Sequence, residues 1–130
     1  MTKRYQVGDQ FTHVRECDRY RPIYYAAAGG DFNPIHIDAE AGKAAGLGGA
    51  ILQGLCTMGW AVEAFVNYLG DPGKVSKVKV RFSRPVMVGD TITIEGKVVA
   101  LADGKLTAEL SAKNQKGDEV LKNTLVEARV

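Results

Sequence analysis

Residues 54–69 read GLCTMGWAVEAFVNYL, and Glu63 is the only charge among them. Leu55, Met58, Val62, Val66 and Leu69 recur at helical spacing, while Cys56, Trp60, Ala61, Ala64 and Phe65 occupy the other faces. A helix that is apolar almost all round has to be buried. Gly70-Asp71-Pro72-Gly73 stops it, and beyond that point the period changes to two. Val78, Val80 and Phe82 alternate with Lys77, Lys79 and Arg81, and Ile92, Ile94 and Val98 alternate with Thr93, Glu95 and Lys97. Leu106, Ala108, Leu110 and Ala112 alternate with Thr107, Glu109, Ser111 and Lys113, and Val120–Val130 supplies a last strand. Asp103-Gly104 and Lys116-Gly117-Asp118 are hairpin signals. Strands with one greasy and one polar face make an antiparallel sheet covered on one side. One buried helix and about five such strands leave few arrangements. The reading is a single α+β domain over residues 1–130, with the sheet wrapped around the helix.

The N-terminal part is more broken. Tyr5–Val14 reads as a strand interrupted at Val7-Gly8-Asp9. Pro22 suits the first turn of a helix that runs to about Ala28 and ends at Gly29-Gly30. Asp38 can cap a short helix to about Ala45, and Gly46–Gly49 is a flexible connection. VGDQFT at Val7 and VGDTIT at Val88 echo each other and read as turns leading into strands.

The chain has 130 residues, 25% of them charged, and a net charge of +2, which is too small to argue for nucleic acid. No apolar run approaches the ~20 residues needed to cross a bilayer. MTKRYQVGDQ contains no leader-like apolar stretch, so a cytoplasmic protein is expected. Cys17 and Cys56 lack metal-ligand spacing and are expected to stay reduced, and His13 reads as structural or surface.

Between the first helix and the capped one lies Asp31-Phe32-Asn33-Pro34-Ile35-His36. Pro34 removes a donor and pushes Asn33 to extended backbone, so a rigid loop is predicted here, not a helix or strand. Turn chemistry accounts for Asp, Asn and Pro but not for His36. A carboxylate and an imidazole aimed at one spot can bind and activate water.

The string resembles the motif of the MaoC-like, R-specific enoyl-CoA hydratases (hydratase 2), which runs Gly-Asp-x-Asn-Pro-(aliphatic)-His-x-Asp/Glu. It matches at Gly30, Asp31, Asn33, Pro34, Ile35, His36 and Asp38. AILQGLCTMG at Ala50–Gly59 and VRFSRPVMVGD at Val80–Asp90 resemble two further blocks of that family, in the same order. The resemblance implies a hot-dog fold and a hydro-lyase that adds water to 2-enoyl thioesters or removes it from 3-hydroxyacyl thioesters. It makes Asp31 and His36 the catalytic pair.

Asn33 either orients that pair or forms a simple Asx turn. The thioester oxygen needs a donor, and the N-terminus of the buried helix offers free N–H groups. Gly54 stands there without a side chain, so its N–H is assigned to that oxygen; the alternative is a Gly kept for tight packing. Lys77, Lys79, Arg81 and Arg84, with Lys74, form a basic strand that suits the phosphates of CoA or an acyl carrier protein, or else a solvated face. Trp60 is read as core or as a limit on acyl-pocket depth. Glu63 is read as an interface contact or as the helix carboxylate of hot-dog thioesterases. No cofactor and no metal are expected, because one His and one carboxylate make a poor metal site.

One departure stands out. Many family members carry His before the helix Gly, and here the residue is Gln53, which bonds through its amide but does not titrate. Gln53 is expected near the thioester in a supporting role. The rivals are an acyl-CoA thioesterase and a non-catalytic acyl-thioester-binding subunit. Open sheet edges predict at least a homodimer.

Overall fold

The helix begins and ends where the sequence places it. In the computed structural model, which describes residues 3–130, α4 spans Gly54–Leu69 and stops at Gly70, whose φ of +82° suits a residue without Cβ. It follows β1 (Gln10–Glu16), α1 (Arg21–Gly29), α2 (Pro34–Ile37) and α3 (Ala39–Ala44). After it come a 3-10 turn (Pro72–Lys74), β2 (Val75–Phe82), β3 (Thr91–Ala102), β4 (Lys105–Lys113) and β5 (Glu119–Arg129). The five strands form one antiparallel sheet in the order β1-β3-β4-β5-β2. This is the hot-dog arrangement. No helix among the described residues is long and apolar enough to cross a membrane.

The period-two pattern selects the inner face. Ile92, Ile94 and Val98 of β3, Leu106, Ala108 and Ala112 of β4, and Val126 and Ala128 of β5 are buried against α4. The helix meets them with Cys56, Trp60, Ala61, Ala64, Phe65 and Leu69. The stripe Leu55, Met58, Val62, Val66 is therefore not the buried one, apart from its last member Leu69. Leu55 is 58% exposed, and Met58, Val62 and Val66 are half-buried. The helix is greasy all round, yet one protomer covers only part of it.

Asp103 and Gly104 both take positive φ (55° and 74°), the two-residue turn that matches strand twist. The two VGD turns share one device. Asp9 accepts from the Gln6 N–H at 3.0 Å, and Asp90 accepts from the Met87 N–H at 2.8 Å. The first turn shortens the expected N-terminal strand to Gln10–Glu16. The ring of Phe11 then lies over Gly96, where a Cβ would meet it at 2.2 Å.

β1 presents Phe11, His13 and Arg15 to the helix. Phe11 stacks with Phe65 and Tyr68. His13 and Arg15 both bond the Glu63 carboxylate, Arg15 through two nitrogens at 2.8 and 2.6 Å. The Arg15 hydrogen bonds, with His13 adding to them, hold the Glu63 carboxyl down at about 2. Its stabilising contribution is thus complete above the ordinary value of 4.5 and fades as the pH falls toward 2. Glu63 is 33% exposed, so solvent screens the pair. Glu63→Gln is expected to lower stability at pH 7 by about 1 kcal/mol. In chemical denaturation, the gap to wild type should close between pH 4.5 and 2.

Cys17 and Cys56 are free and buried, and burial pushes the Cys17 thiol up to about 12. Both lie in the core cluster with Trp60.

Candidate active site

The Asp31–His36 segment is not a plain loop. Pro34 opens a single helical turn, where a missing N–H costs nothing, and the Asn33 side chain caps it by accepting from the Ile35 N–H at 3.4 Å. The Asn33 N–H donates to Asp31 Oδ1 at 3.2 Å. Asn33 thus both forms a local cap and turns the Asp31 carboxylate. Asp31 Oδ2 then faces His36 Nε2 at 3.5 Å. The imidazole is buried, while the carboxylate is 48% exposed.

A backbone carbonyl decides the tautomer of His36. Nδ1 lies 2.8 Å from the Ile51 oxygen, which only accepts, so the proton sits on Nδ1. In the neutral ring Nε2 is then the acceptor on the side of Asp31. Ile51 is itself held by its N–H donating to the Ile35 oxygen at 3.0 Å. A water touching both Nε2 and Oδ2 would meet two proton acceptors at once.

His36, Ile51, Gly54, Thr57, Phe82 and Arg84 line a cleft of about 290 Å³. The Gly54 N–H opens α4 and has no backbone partner among the described residues. A Cβ at Gly54 would meet the Phe82 ring at 3.1 Å, so this ring closes over the bare backbone. Phe82, Thr57 and the Ile51 carbonyl were not singled out from the sequence. The GLCT block marks Thr57's position without distinguishing it from core, and nothing in the sequence marks a carbonyl.

Gln53 departs from its expected place. It is 1% exposed and does not line the cleft. Its Nε2 donates to the Pro22 oxygen at 2.9 Å and to the Asp31 oxygen at 3.4 Å. The side chain braces the backbone of Asp31 against α1 rather than lying beside the reacting atoms. Gln53→Leu strips both carbonyls of a donor. It is expected to cost about 1–3 kcal/mol of stability and to lower kcat. Gln53→His keeps a ring donor and should retain more activity. An unchanged kcat/KM in Gln53→Leu would reduce the side chain to packing.

The basic strand divides. Arg84 reaches the cleft, with a loose ion pair to Asp118 at 4.0 Å. Lys77 and Lys79 stand on the outer face of β2, beside Glu109 and Glu127 in a separate groove. Arg81 is exposed and registers with Lys122 of β5. The structure therefore brings His36, Gly54 and Arg84 to one cleft, sets Asp31 against His36, and leaves Lys77, Lys79 and Arg81 elsewhere. A second depression, of about 360 Å³, touches His36 from the side of Arg19, Lys43 and Met87.

The family model described as MaoC-like domain matches residues 10–120. The chain belongs to that family. Among curated relatives, the probable enoyl-CoA hydratase 2 of Dictyostelium discoideum is 41% identical over 75 residues, covering 56% of this chain and 26% of that protein. The peroxisomal multifunctional enzyme type 2 of Mus musculus is 32% identical over 100 residues, covering 75% of this chain and 13% of that one. The MaoC-like chain thus matches about a quarter or less of these relatives' lengths. Among solved structures, the unliganded R-hydratase PhaJ1 of Pseudomonas aeruginosa superposes with a TM-score of 0.89 at 25% identity, covering 97% of this chain and 82% of that one.

Proposed function

We propose that this MaoC-like chain catalyses R-specific hydration of 2-enoyl thioesters, or the reverse dehydration of 3-hydroxyacyl thioesters. The observation that carries the reading is the facing of Asp31 Oδ2 and His36 Nε2, with the imidazole locked in one tautomer. The resemblance to proteins named enoyl-CoA hydratase 2 and R-hydratase supports it.

In the hydration direction, water binds against both acceptors. Its hydroxyl adds to C3, and the electrons of the double bond move toward the thioester oxygen. The proton that water loses to the pair is delivered to C2, so the pair ends as it began. General acid–base transfer of this kind contributes typically ~10²–10⁴-fold. The Gly54 N–H stabilises charge on the thioester oxygen. Donors of this type are worth ~10²–10³ in kcat.

The test is purified protein with crotonyl-CoA, following enone absorbance and free thiol together. Loss of the enone without thiol supports the reading. Thiol release would make the protein a thioesterase, and neither signal would leave a non-catalytic binding subunit.

The carrier phosphates fit Arg84 better than the outer lysines, because only Arg84 borders the cleft. Salt screens exposed charges beyond ~10 Å at 0.1 M. KM for crotonyl-CoA should rise with salt, and Arg84→Gln should raise KM several-fold and flatten that dependence. The same change at Lys77 or Lys79 should do less. A KM indifferent to both salt and Arg84→Gln would remove the phosphate role.

We read the active form as a homodimer. Tyr24, Phe32 and Leu55 are 62%, 59% and 58% exposed, and β1 and β2 are edge strands. A second copy that covers these side chains or pairs with an open edge should appear as twice the chain mass in light scattering.

A further inference from the structure

We propose that the Thr57 hydroxyl is a second donor to the thioester oxygen, beside the Gly54 N–H; this rests on the hydratase reading. Thr57 is only 3% exposed, yet it lines the cleft with His36 and Gly54. Its N–H goes to the Gln53 oxygen at 3.4 Å, as a helical residue requires. Its hydroxyl donates to no described residue. Nor is it among the sealed side-chain atoms without a partner, which are Arg21 Nε, Gln53 Oε1 and Thr124 Oγ1. The hydroxyl therefore opens onto the cleft with its proton unspent.

A threonine gains nothing here from helix formation, since β-branched residues are mediocre helix formers. Nor does it make the usual bond back to the carbonyl four residues earlier. A hydroxyl that is open to the cleft and uses its proton on no protein group is available to donate to whatever fills that cleft.

Helix geometry indicates which atom that is. Side chains of an α-helix lean toward its N-terminus, and positions i and i+3 share a face. Thr57 stands three residues after Gly54, so its hydroxyl leans over the first turn. The free Gly54 N–H lies there. Two donors, one from backbone and one from a side chain, border the same spot. When hydroxyl adds at C3, negative charge grows on the thioester oxygen, and two donors there stabilise the transition state more than the ground state. The rival occupant is the attacking water, since His36 borders the same cleft.

Thr57→Val removes the hydroxyl and keeps the shape, and Thr57→Ser keeps the hydroxyl. Thr57→Val is expected to lower kcat for crotonyl-CoA on the order of 10²-fold with KM within a few-fold, and Thr57→Ser to restore most of that loss. If the Val chain does not fold, Thr57→Ala replaces it against the same Ser control. The second readout is the carbonyl stretch of bound crotonyl thioester in an Asp31→Asn background, which slows turnover. With Thr57 the band should lie well below that of free thioester, and Thr57→Val should move it back up. An unchanged kcat in Thr57→Val overturns the proposal. So does a loss of kcat with an unmoved carbonyl band, which would assign the hydroxyl to the water or to packing. Should wild type bind crotonyl-CoA without hydrating it, the hydratase reading fails alone and the band still tests the donor. A wild-type chain that neither binds nor hydrates it overturns both.

Discussion

Asp31→Asn and His36→Ala should each lower kcat for crotonyl-CoA hydration on the order of 10³-fold while the fold persists. The magnitude follows from what a positioned proton acceptor contributes. Asp31→Asn keeps the size and the bond from the Asn33 N–H but removes the charge and basicity at Oδ2. Since that side chain is half exposed, its stability cost should be small. His36→Ala does two things. It deletes Nε2, and it leaves the Ile51 carbonyl without its imidazole donor, at about 1–3 kcal/mol. His36→Gln separates them, because an amide can still donate to Ile51 without providing imidazole basicity. All three variants should show similar far-UV spectra, and His36→Ala alone should melt several degrees earlier. Most of the wild-type kcat surviving in either Asp31→Asn or His36→Ala would sink the assignment of the pair.

Gly42→Ala should impair both stability and activity, although Gly42 touches no reacting atom. It lies buried in α3, where a Cβ would stand 1.8 Å from the Gly49 oxygen and 2.5 Å from its carbon. Both are backbone atoms, so no side chain can swing away. Either α3 or the 48–50 segment has to move. Two residues beyond Gly49, the Ile51 oxygen holds His36 at 2.8 Å and the Ile51 N–H holds Ile35. Displacing that segment drags the imidazole off Asp31. Overpacking of this kind costs typically ~1–3 kcal/mol, and an ångström of misplacement can cost ~10² in rate. Gly42→Ala should therefore lose on the order of 10²-fold in kcat together with a lowered denaturation midpoint. Gly46→Ala, at φ +80° with open space around it, should lose stability through backbone strain alone and keep its kcat. Equal kcat in Gly42→Ala and wild type would break the chain from α3 to His36.

What could be read from the sequence was whatever depends on period and punctuation. The bounds of α4, the hairpin at Asp103-Gly104 and the α+β architecture follow from repeats of 3.6 and 2 closed by Gly, Asp and Pro. The motif placed Asp31 and His36 close together, because five residues with a proline have little freedom. Two expectations failed, one for a local reason and one for a tertiary reason. A proline is as good at the first position of a helical turn as it is bad inside one, so residues 34–37 coil. The helix, apolar almost all round, reads as buried on every side, but the sheet covers only the side of Cys56, Trp60, Ala61, Ala64 and Phe65 and leaves Leu55 exposed.

Tertiary structure decided the rest, because it depends on atoms the sequence does not rank. The Ile51 carbonyl fixes which nitrogen of His36 carries the proton, and any residue has a carbonyl. Gln53 faces the Pro22 and Asp31 oxygens instead of the cleft because α1 packs across it. The strand carrying Lys77 and Lys79 shows period two, but only the sheet order tells that β2 is an edge whose outer face lies away from His36. Sequence determines the polarity of a face; which face meets the site is settled by packing between segments far apart in the chain.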